Sequence, residues 1–196
     1  RRLVEVLLAN GVEVNKQIEC DSTVGYLSEI DPPLVIATIV KDISIVQKLL
    51  SCGANISCLS LLVCIALDQH DILDSFLGTG NCELNVSYKS PTGVFDFIRQ
   101  HIESGNDLPD LPKEFAYRPV SPLLMAIMLG KKDFVEKLVR HGADPGYSGW
   151  GKLIFRSALM EAVEHNHCEI AELLLKTEKG QKHIEHLRCN ELSPLH

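Results

Sequence analysis

The feature that most constrains this chain is a motif that it contains more than once. Residues 121–144 align without a gap with residues 32–55. Both segments have Pro-Leu at their second and third positions, contain an alanine and end in Gly-Ala followed by Asp or Asn. Internal similarity at fixed register is the signature of a repeat architecture, in which each unit packs on its neighbours. We therefore expect a stack of similar units rather than a single central core.

Weaker copies extend the pattern along the chain. Residues 157–175 and 61–77 also carry a first apolar segment with a small residue in it, followed by a second apolar segment. In the copy at 61–77, Ala66 aligns with the alanine of the other copies, and the junction between the two helices then looks shortened. Residues 3–15 hold only the second half of a unit and residues 192–196 only an opening, so we expect both ends to fall within a unit.

Each copy has the features of two short helices joined by a turn. A serine before a proline, as at Ser121, offers an N-cap hydroxyl followed by a residue whose missing N–H costs nothing at the first helical position. Apolar residues at helical spacing, such as Phe134 and Leu138, place one stripe of the second helix in the core. Glycines such as Gly142 fall where a helix ends in a left-handed residue. The small residues that let helices approach closely are Ala37, Ala66, Ala126 and Ala162.

These residues together resemble the ankyrin repeat family, whose unit of about 33 residues opens with Thr-Pro-Leu-His and exits with Gly-Ala-Asp-Val-Asn. The resemblance implies an all-α fold, an ankyrin-repeat solenoid of stacked helix-turn-helix units with β-hairpin-like loops. The opening histidine of the family is replaced in the internal copies and present near the end of the chain; the residues at that position are Val35, Cys64, Leu124, Met160 and His196.

We expect residues 1–196 to form a single solenoid with one long insertion. Its predicted parts are a partial repeat at 1–15, repeats at 31–57, 121–146 and 156–180, a degenerate repeat at 60–85, the insertion at 86–120 and the start of a further repeat at 192–196. Phe95, Ile98 and Ile102 lie at helical spacing and predict an amphipathic helix in the insertion, lying on the solenoid. The insertion either covers one side of the stack or contacts a partner.

The resemblance also implies a binding surface, because the first helices and hairpin loops of ankyrin-like stacks form a concave face. Carried over position by position, the surface residues are Ile39, Val40, Asp68, Gln69, Met128, Leu129, Glu164 and His165, of which four are large and apolar. An exposed apolar run predicts a groove for another protein, unless the insertion or the stack itself covers it. The expected function is a non-catalytic protein–protein interaction module, a scaffold or adaptor. The alternative is a spacer within a larger enzyme, channel or ubiquitin-ligase adaptor.

Other functional classes find little support in the sequence. A formal net charge of −7 opposes the phosphate attraction on which nucleic-acid binding depends. The chain holds no Gly-x-Ser-x-Gly elbow, phosphate-binding loop or His-Glu-x-x-His helix, so we expect neither an enzyme nor a cofactor. His183, His186 and Cys189 are spaced by three but do not complete a zinc ligand set, so we expect no metal site. Carboxylates such as Glu161 are expected on solvated helix faces, with no catalytic role.

The cysteine content bears on where the protein resides. Seven cysteines, an odd number spread along a chain of this size, predict reduced thiols and an intracellular, cytoplasmic location. Apolar stretches such as residues 59–67 are too short to span a bilayer, so we expect no membrane insertion by this chain. We expect the module to be monomeric.

Overall fold

A computed structural model describes residues 11, 13–15, 33–89, 95–96, 119–147 and 158–182. Helices dominate the described part and follow one another in pairs, which confirms the predicted all-α repeat fold. Several predicted features lie outside the described residues. They include the helix at 3–10, Ile98 and Ile102 of the insertion, His183, His186, Cys189 and the repeat opening at 192–196.

The chain divides into two compact units, Arg1–Glu83 with Tyr88–Val120, and Leu84–Ser87 with Ser121–His196. The elements of the first unit are α1 (Pro33–Ile39), α2 (Ile43–Ser51), α3 (Cys58–Ala66), α4 (His70–Gly78), β1 (Tyr88–Lys89) and β2 (Pro119–Val120). Those of the second unit are α5 (Pro122–Met128), α6 (Lys132–Arg140), α7 (Ala158–Glu164) and α8 (Cys168–Leu175). The first helices of the pairs are α1, α3, α5 and α7.

In the first unit, each first helix packs on the second helix of its own pair, and α1 also packs on α3. Side-chain caps define two of the helix starts: the Asp42 carboxylate accepts the N–H groups of Ser44 and Ile45 before α2, and the Ser57 hydroxyl accepts the N–H of Ser60 before α3. Such caps satisfy amide groups that have no partner within the helix. The N-cap residue of α4, Gln69, makes no capping bond with its side chain.

A short antiparallel ladder joins the two ends of the predicted insertion. Tyr88 pairs with Val120 and Lys89 with Pro119. Between the two strands, Phe95 and Asp96 are described and are helical, Phe95 buried and Asp96 exposed. This agrees with the predicted amphipathic helix at its first apolar position.

In the second unit, α5 packs on α6 and α7, and α8 packs on α6 and α7. The predicted cap at the start of α5 is confirmed, because the Ser121 hydroxyl accepts the N–H of Leu124 and Pro122 follows in the first turn. Asn85 donates from Nδ2 to the Gly142 carbonyl at 3.4 Å and accepts the Asp144 N–H at 2.8 Å. The loop at 84–87 is thereby tied to the exit of the repeat at 121–146.

The turn inside each helix pair fixes the alignment of the repeats. One turn residue has positive φ in every described pair: Lys41 (58°), Asp68 (60°), Gly130 (67°) and Asn166 (57°). The next residue donates its N–H to the carbonyl five positions back; these bonds are Asp42 to Ala37, Gln69 to Cys64, Lys131 to Ala126 and His167 to Ala162. Residues at the same distance from the positive-φ residue of their turn are therefore equivalent in the four repeats.

Alignment on the turns corrects the sequence alignment of the degenerate repeat. Cys64, and not Ala66, occupies the place of the alanines, so the alignment was two residues out, and Leu62 rather than Cys64 takes the place of the opening histidine. The junction after α3 is not shortened; instead α3 has nine residues where α1, α5 and α7 have seven. Cysteine is small enough to replace alanine at a close helix contact, and the sequence alignment chose the nearby Ala66 instead.

Candidate functional site

The predicted binding positions are the two residues just before the positive-φ residue of each turn. The structure places Ile39, Val40, Met128, Leu129, Glu164 and His165 there, as the alignment assumed. Asp68 and Gln69 do not belong to this set, since Asp68 is itself the positive-φ residue and Gln69 follows it. The equivalent residues in that repeat are Ala66 and Leu67.

In the first unit, only one of these positions is open to solvent. Val40 is 45% exposed, whereas Ile39, Ala66 and Leu67 are buried. Asp68, at the turn, is exposed. The expected apolar run is therefore reduced to one accessible valine at the end of α1.

In the second unit, the accessible positions are more polar. Met128 is buried, Leu129 and His165 are half-buried, and Glu164 is exposed. Ile39 and Met128, two of the four apolar residues expected on the surface, thus belong to the core. Their burial depends on neighbouring segments, which a position carried over from a family pattern does not take into account.

Gln69 lies in the packed interior and not on an accessible surface. Its side chain is buried, Nε2 donates to the Thr38 carbonyl at 2.8 Å, and its own carbonyl lies 3.2 Å from the Cys64 thiol. Its Oε1 atom has no hydrogen-bond partner among the residues that the structure describes. Gln69 therefore links the turn before α4 to the end of α1 in the preceding repeat.

A buried carboxylate adjoins His165. The Glu161 side chain lies within the second unit, almost fully buried, and its Oε2 is 3.7 Å from Nε2 of His165. The His165 ring also stacks on His167, with centroids 6.0 Å apart. The sequence interpretation put Glu161 on a solvated helix surface and was wrong. The missed signal is its place five residues before the positive-φ residue of the turn, where two of the other copies have the buried residues Val63 and Met125, although the third has the exposed Ile36.

One surface ion pair joins the starts of α6 and α8. Lys132 Nζ donates to Oε2 of Glu169 at 2.7 Å. The hydrogen bond with Glu169 raises the pKa of Lys132, and the same bond lowers the pKa of Glu169. Both side chains are solvent-exposed, so screening limits what the pair contributes to stability.

The large apolar side chains that are exposed in the described residues all lie on first helices or directly after one. They are Ile36, Val40, Met160 and Val163. Met160 and Val163 correspond to Val35 and Thr38 of α1, which are buried in the unit where α1 packs on α3. The exposed face of α7 therefore has the character of a surface that packs against another element.

No disulfide joins the cysteines that the structure describes, which are Cys52, Cys58, Cys64, Cys82 and Cys168. Burial raises the pKa of Cys58 to about 12, with a further contribution from Cys82, and burial raises the pKa of Cys82 to about 11. A thiol that stays protonated is a poor nucleophile and a poor metal ligand. In the described ranges, no three histidine, cysteine or acidic side chains come together as a metal site would need.

Comparison with known families agrees with this architecture. A model of ankyrin repeats, in three copies, matches residues 62–187, and the chain belongs to the ankyrin repeat family. The pair α1 and α2 precedes the matched range but shares its turn geometry. A search of the curated proteins returned no match.

Membership of the family carries a general function. Ankyrin repeats are generally protein–protein interaction modules, and domains built from them are typically non-catalytic. In the part of the chain that the structure describes, no helix has the length and apolar character needed to cross a membrane.

Proposed function

We propose that this chain is a scaffold or adaptor module that binds another protein through the ends of its first helices, without catalysis and without a cofactor. The observation that carries the proposal is the accessibility of these ends: Val40 is exposed after α1, Leu129 is half-buried after α5, and Glu164 is exposed at the end of α7. Of the residues predicted from the sequence, these and His165 are the ones that a partner can reach at the proposed positions.

The accessible residues combine two kinds of contact. Val40 in the first unit and Leu129 in the second unit are apolar, and Glu164 and His165 are polar. Protein interfaces place a few apolar anchors at the centre and polar groups at the rim. In this proposal each unit offers its own contact to a partner. The first unit offers the apolar Val40, and the second offers the apolar Leu129 together with the polar Glu164 and His165.

The proposal also concerns location. Cys52 and Cys168 are exposed thiols. Exposed thiols persist in the reducing cytosol and are oxidised outside it. These thiols support a cytoplasmic location as part of the proposal.

Capture from cell extract with quantitative mass spectrometry tests the proposal. The bait is the whole chain, compared with Val40→Asp and Leu129→Asp and with two exposed controls on second helices, Gln47→Asp and Glu172→Lys. Loss of one apolar anchor costs roughly tenfold in affinity or more. We expect the same protein to be retained by the wild type and the controls and depleted in both aspartate variants. Equal retention by all five baits contradicts the proposal.

The alternative of a spacer within a larger protein rests on a different observation. Met160 and Val163 expose apolar surface at positions that α1 buries, which suits the packing of a further helix pair. A spacer needs no partner at the first-helix ends. It therefore predicts that no captured protein depends on Val40 or Leu129.

A further inference from the structure

Two positions of the first helices are each exposed in one helix and buried in the other three. Five residues before the positive-φ residue of the turn, Ile36 of α1 is 39% exposed. Its buried equivalents are Val63, Met125 and Glu161. Three residues before the same turn residue, Val163 of α7 is 65% exposed. Its buried equivalents are Thr38, Ile65 and Ile127.

Comparison of α1 with α7 shows what covers the position of Val163. Both helices pack on the second helix of their own pair, and Val163 is exposed although α8 is in place. The second helix therefore does not cover this position. In the first unit α1 packs on α3 as well, and there Thr38, the equivalent of Val163, is fully buried. The position thus faces the first helix of the following pair.

The same comparison in the other direction explains the position of Ile36. Ile36 is exposed although α2 packs on α1. In the second unit α7 packs on α5, and there Glu161, the equivalent of Ile36, is fully buried. This position thus faces the first helix of the preceding pair. Ile36 and Val163 are the two sides of one kind of contact, the contact between successive first helices.

Both exposed faces are apolar and extend beyond one side chain. Val40, one turn after Ile36, is exposed, and Met160, one turn before Val163, is also exposed. These four side chains are the exposed large apolar residues of the part of the chain that the structure describes. Exposed apolar surface of this kind marks a site of association. One molecule therefore carries both sides of a contact that its own repeats make internally.

We propose that α7 of one copy of the chain packs on α1 of a second copy, with Val163 against Ile36. In this contact α7 takes the place that α1 has against α3, and α1 of the second copy takes the place of α3. The contact is heterologous, because it joins different patches of the two copies. The monomer expected from the sequence leaves both faces in water. The inference goes beyond the proposed function, which concerns neither Ile36 nor Val163.

Sedimentation velocity on the whole chain tests the association. The weight-average sedimentation coefficient should rise between about 10 µM and about 1 mM protein, because even a millimolar dissociation constant pairs a large share of the chains at the upper limit. A wild-type chain that stays monomeric over this range overturns the proposal.

Two variants identify the faces. Ile36→Glu blocks the α1 face and Val163→Glu blocks the α7 face, because a carboxylate buried in an apolar contact has no partner there. Each variant alone should remain monomeric. Mixed in equal amounts, they retain one matched pair of faces and should form a one-to-one dimer and nothing larger. The control Gln47→Glu, at an exposed position of α2, should associate as the wild type does.

The alternatives give different results in the same experiment. Dimers of Ile36→Glu alone would show that α7 contacts α7, and association retained by both variants would show that other surfaces are used; either result overturns the proposal. Circular dichroism checks that each variant is folded, and Ile36→Ser or Val163→Ser replaces one that is not. The capture experiment changes neither residue, so its failure is distinct from failure here.

Discussion

The imidazole of His167 lies against Gly130 so closely that a Cβ on Gly130 would stand 2.8 Å from Cε1 of the ring. The φ angle of Gly130 is 67°, yet Lys41, Asp68 and Asn166 adopt nearly the same angle at equivalent turns. A positive φ is therefore compatible with other residues in this fold. At Gly130, the histidine ring of the following repeat is the additional reason for glycine.

Gly130→Ala should lower the free energy of unfolding by roughly 1–3 kcal/mol, because the methyl group must displace the ring and the backbone keeps its positive φ. Urea denaturation of Gly130→Ala, His167→Ala and the double variant measures this. In the His167→Ala background the cost of the alanine should fall, since only the backbone strain remains. The same cost in both backgrounds would show that the ring contact is not the cause.

Gln69 should act on stability and not on binding. Gln69→Ala removes the bond to the Thr38 carbonyl and leaves a cavity, and we expect a loss of about 2–4 kcal/mol. Gln69→Leu fills the volume and removes the unpartnered Oε1, so it should lose less. Denaturant titration ranks the two variants. Folded Gln69→Leu should capture the same partner proteins as the wild type. A selective loss of one partner would show that Gln69 takes part in binding.

The cysteines should differ widely in reactivity. Cys52 and Cys168 are exposed, whereas burial raises the pKa of Cys58 to about 12 and that of Cys82 to about 11. At pH 8 the two raised thiols are almost wholly protonated, so iodoacetamide should modify Cys52 and Cys168 first and Cys58 last. Peptide mass spectrometry over time gives the order. In urea the difference should vanish; equal rates in the native protein would show that the partial burial of Cys58 does not keep its thiol protonated.

Alkaline pH should destabilise the first unit through the same thiol. The pKa of Cys58 is raised from 9.0 in the unfolded chain to about 12 in the folded one. The folded state thus binds the proton more tightly, and its advantage, fully present below pH 9, is lost as pH rises from 9 towards 12. The free energy of unfolding should fall over this window more steeply in the wild type than in Cys58→Ala. Parallel curves for the two proteins would contradict the shift.

The repeat was predictable because its features are local. Caps such as Ser121 and the apolar stripe of Phe134 and Leu138 depend on neighbouring residues alone, and all are found as expected. The alignment of α3 was not predictable from its alanine, because Cys64 fits the same close contact. The positive-φ residue of the turn defines the alignment. It is lysine, aspartate, glycine or asparagine in the four repeats, so no single residue type marks it in the sequence.

The site was less predictable because accessibility depends on tertiary packing. Ile39 and Val40 are adjacent and both apolar, yet one is buried and the other exposed. Successive residues of a helix are turned by about 100°, so the two side chains face different directions, and a position carried over from a family pattern does not say which direction is covered by packing. Glu161 shows the opposite case: its charge suggested a solvated face, although the other copies have apolar residues at its place in the repeat and two of these, Val63 and Met125, are buried.

Site-specific photo-crosslinking tests the binding account most directly. The whole chain carries p-benzoylphenylalanine at Val40, at Leu129 or, as the control, at exposed Gln47 of α2, and is irradiated in cell extract. Covalent adducts with one and the same protein at Val40 and Leu129, and none at Gln47, are the predicted result. Adducts at Gln47 as abundant as those at Val40 and Leu129, or adducts at Gln47 alone, would contradict binding through the first-helix ends.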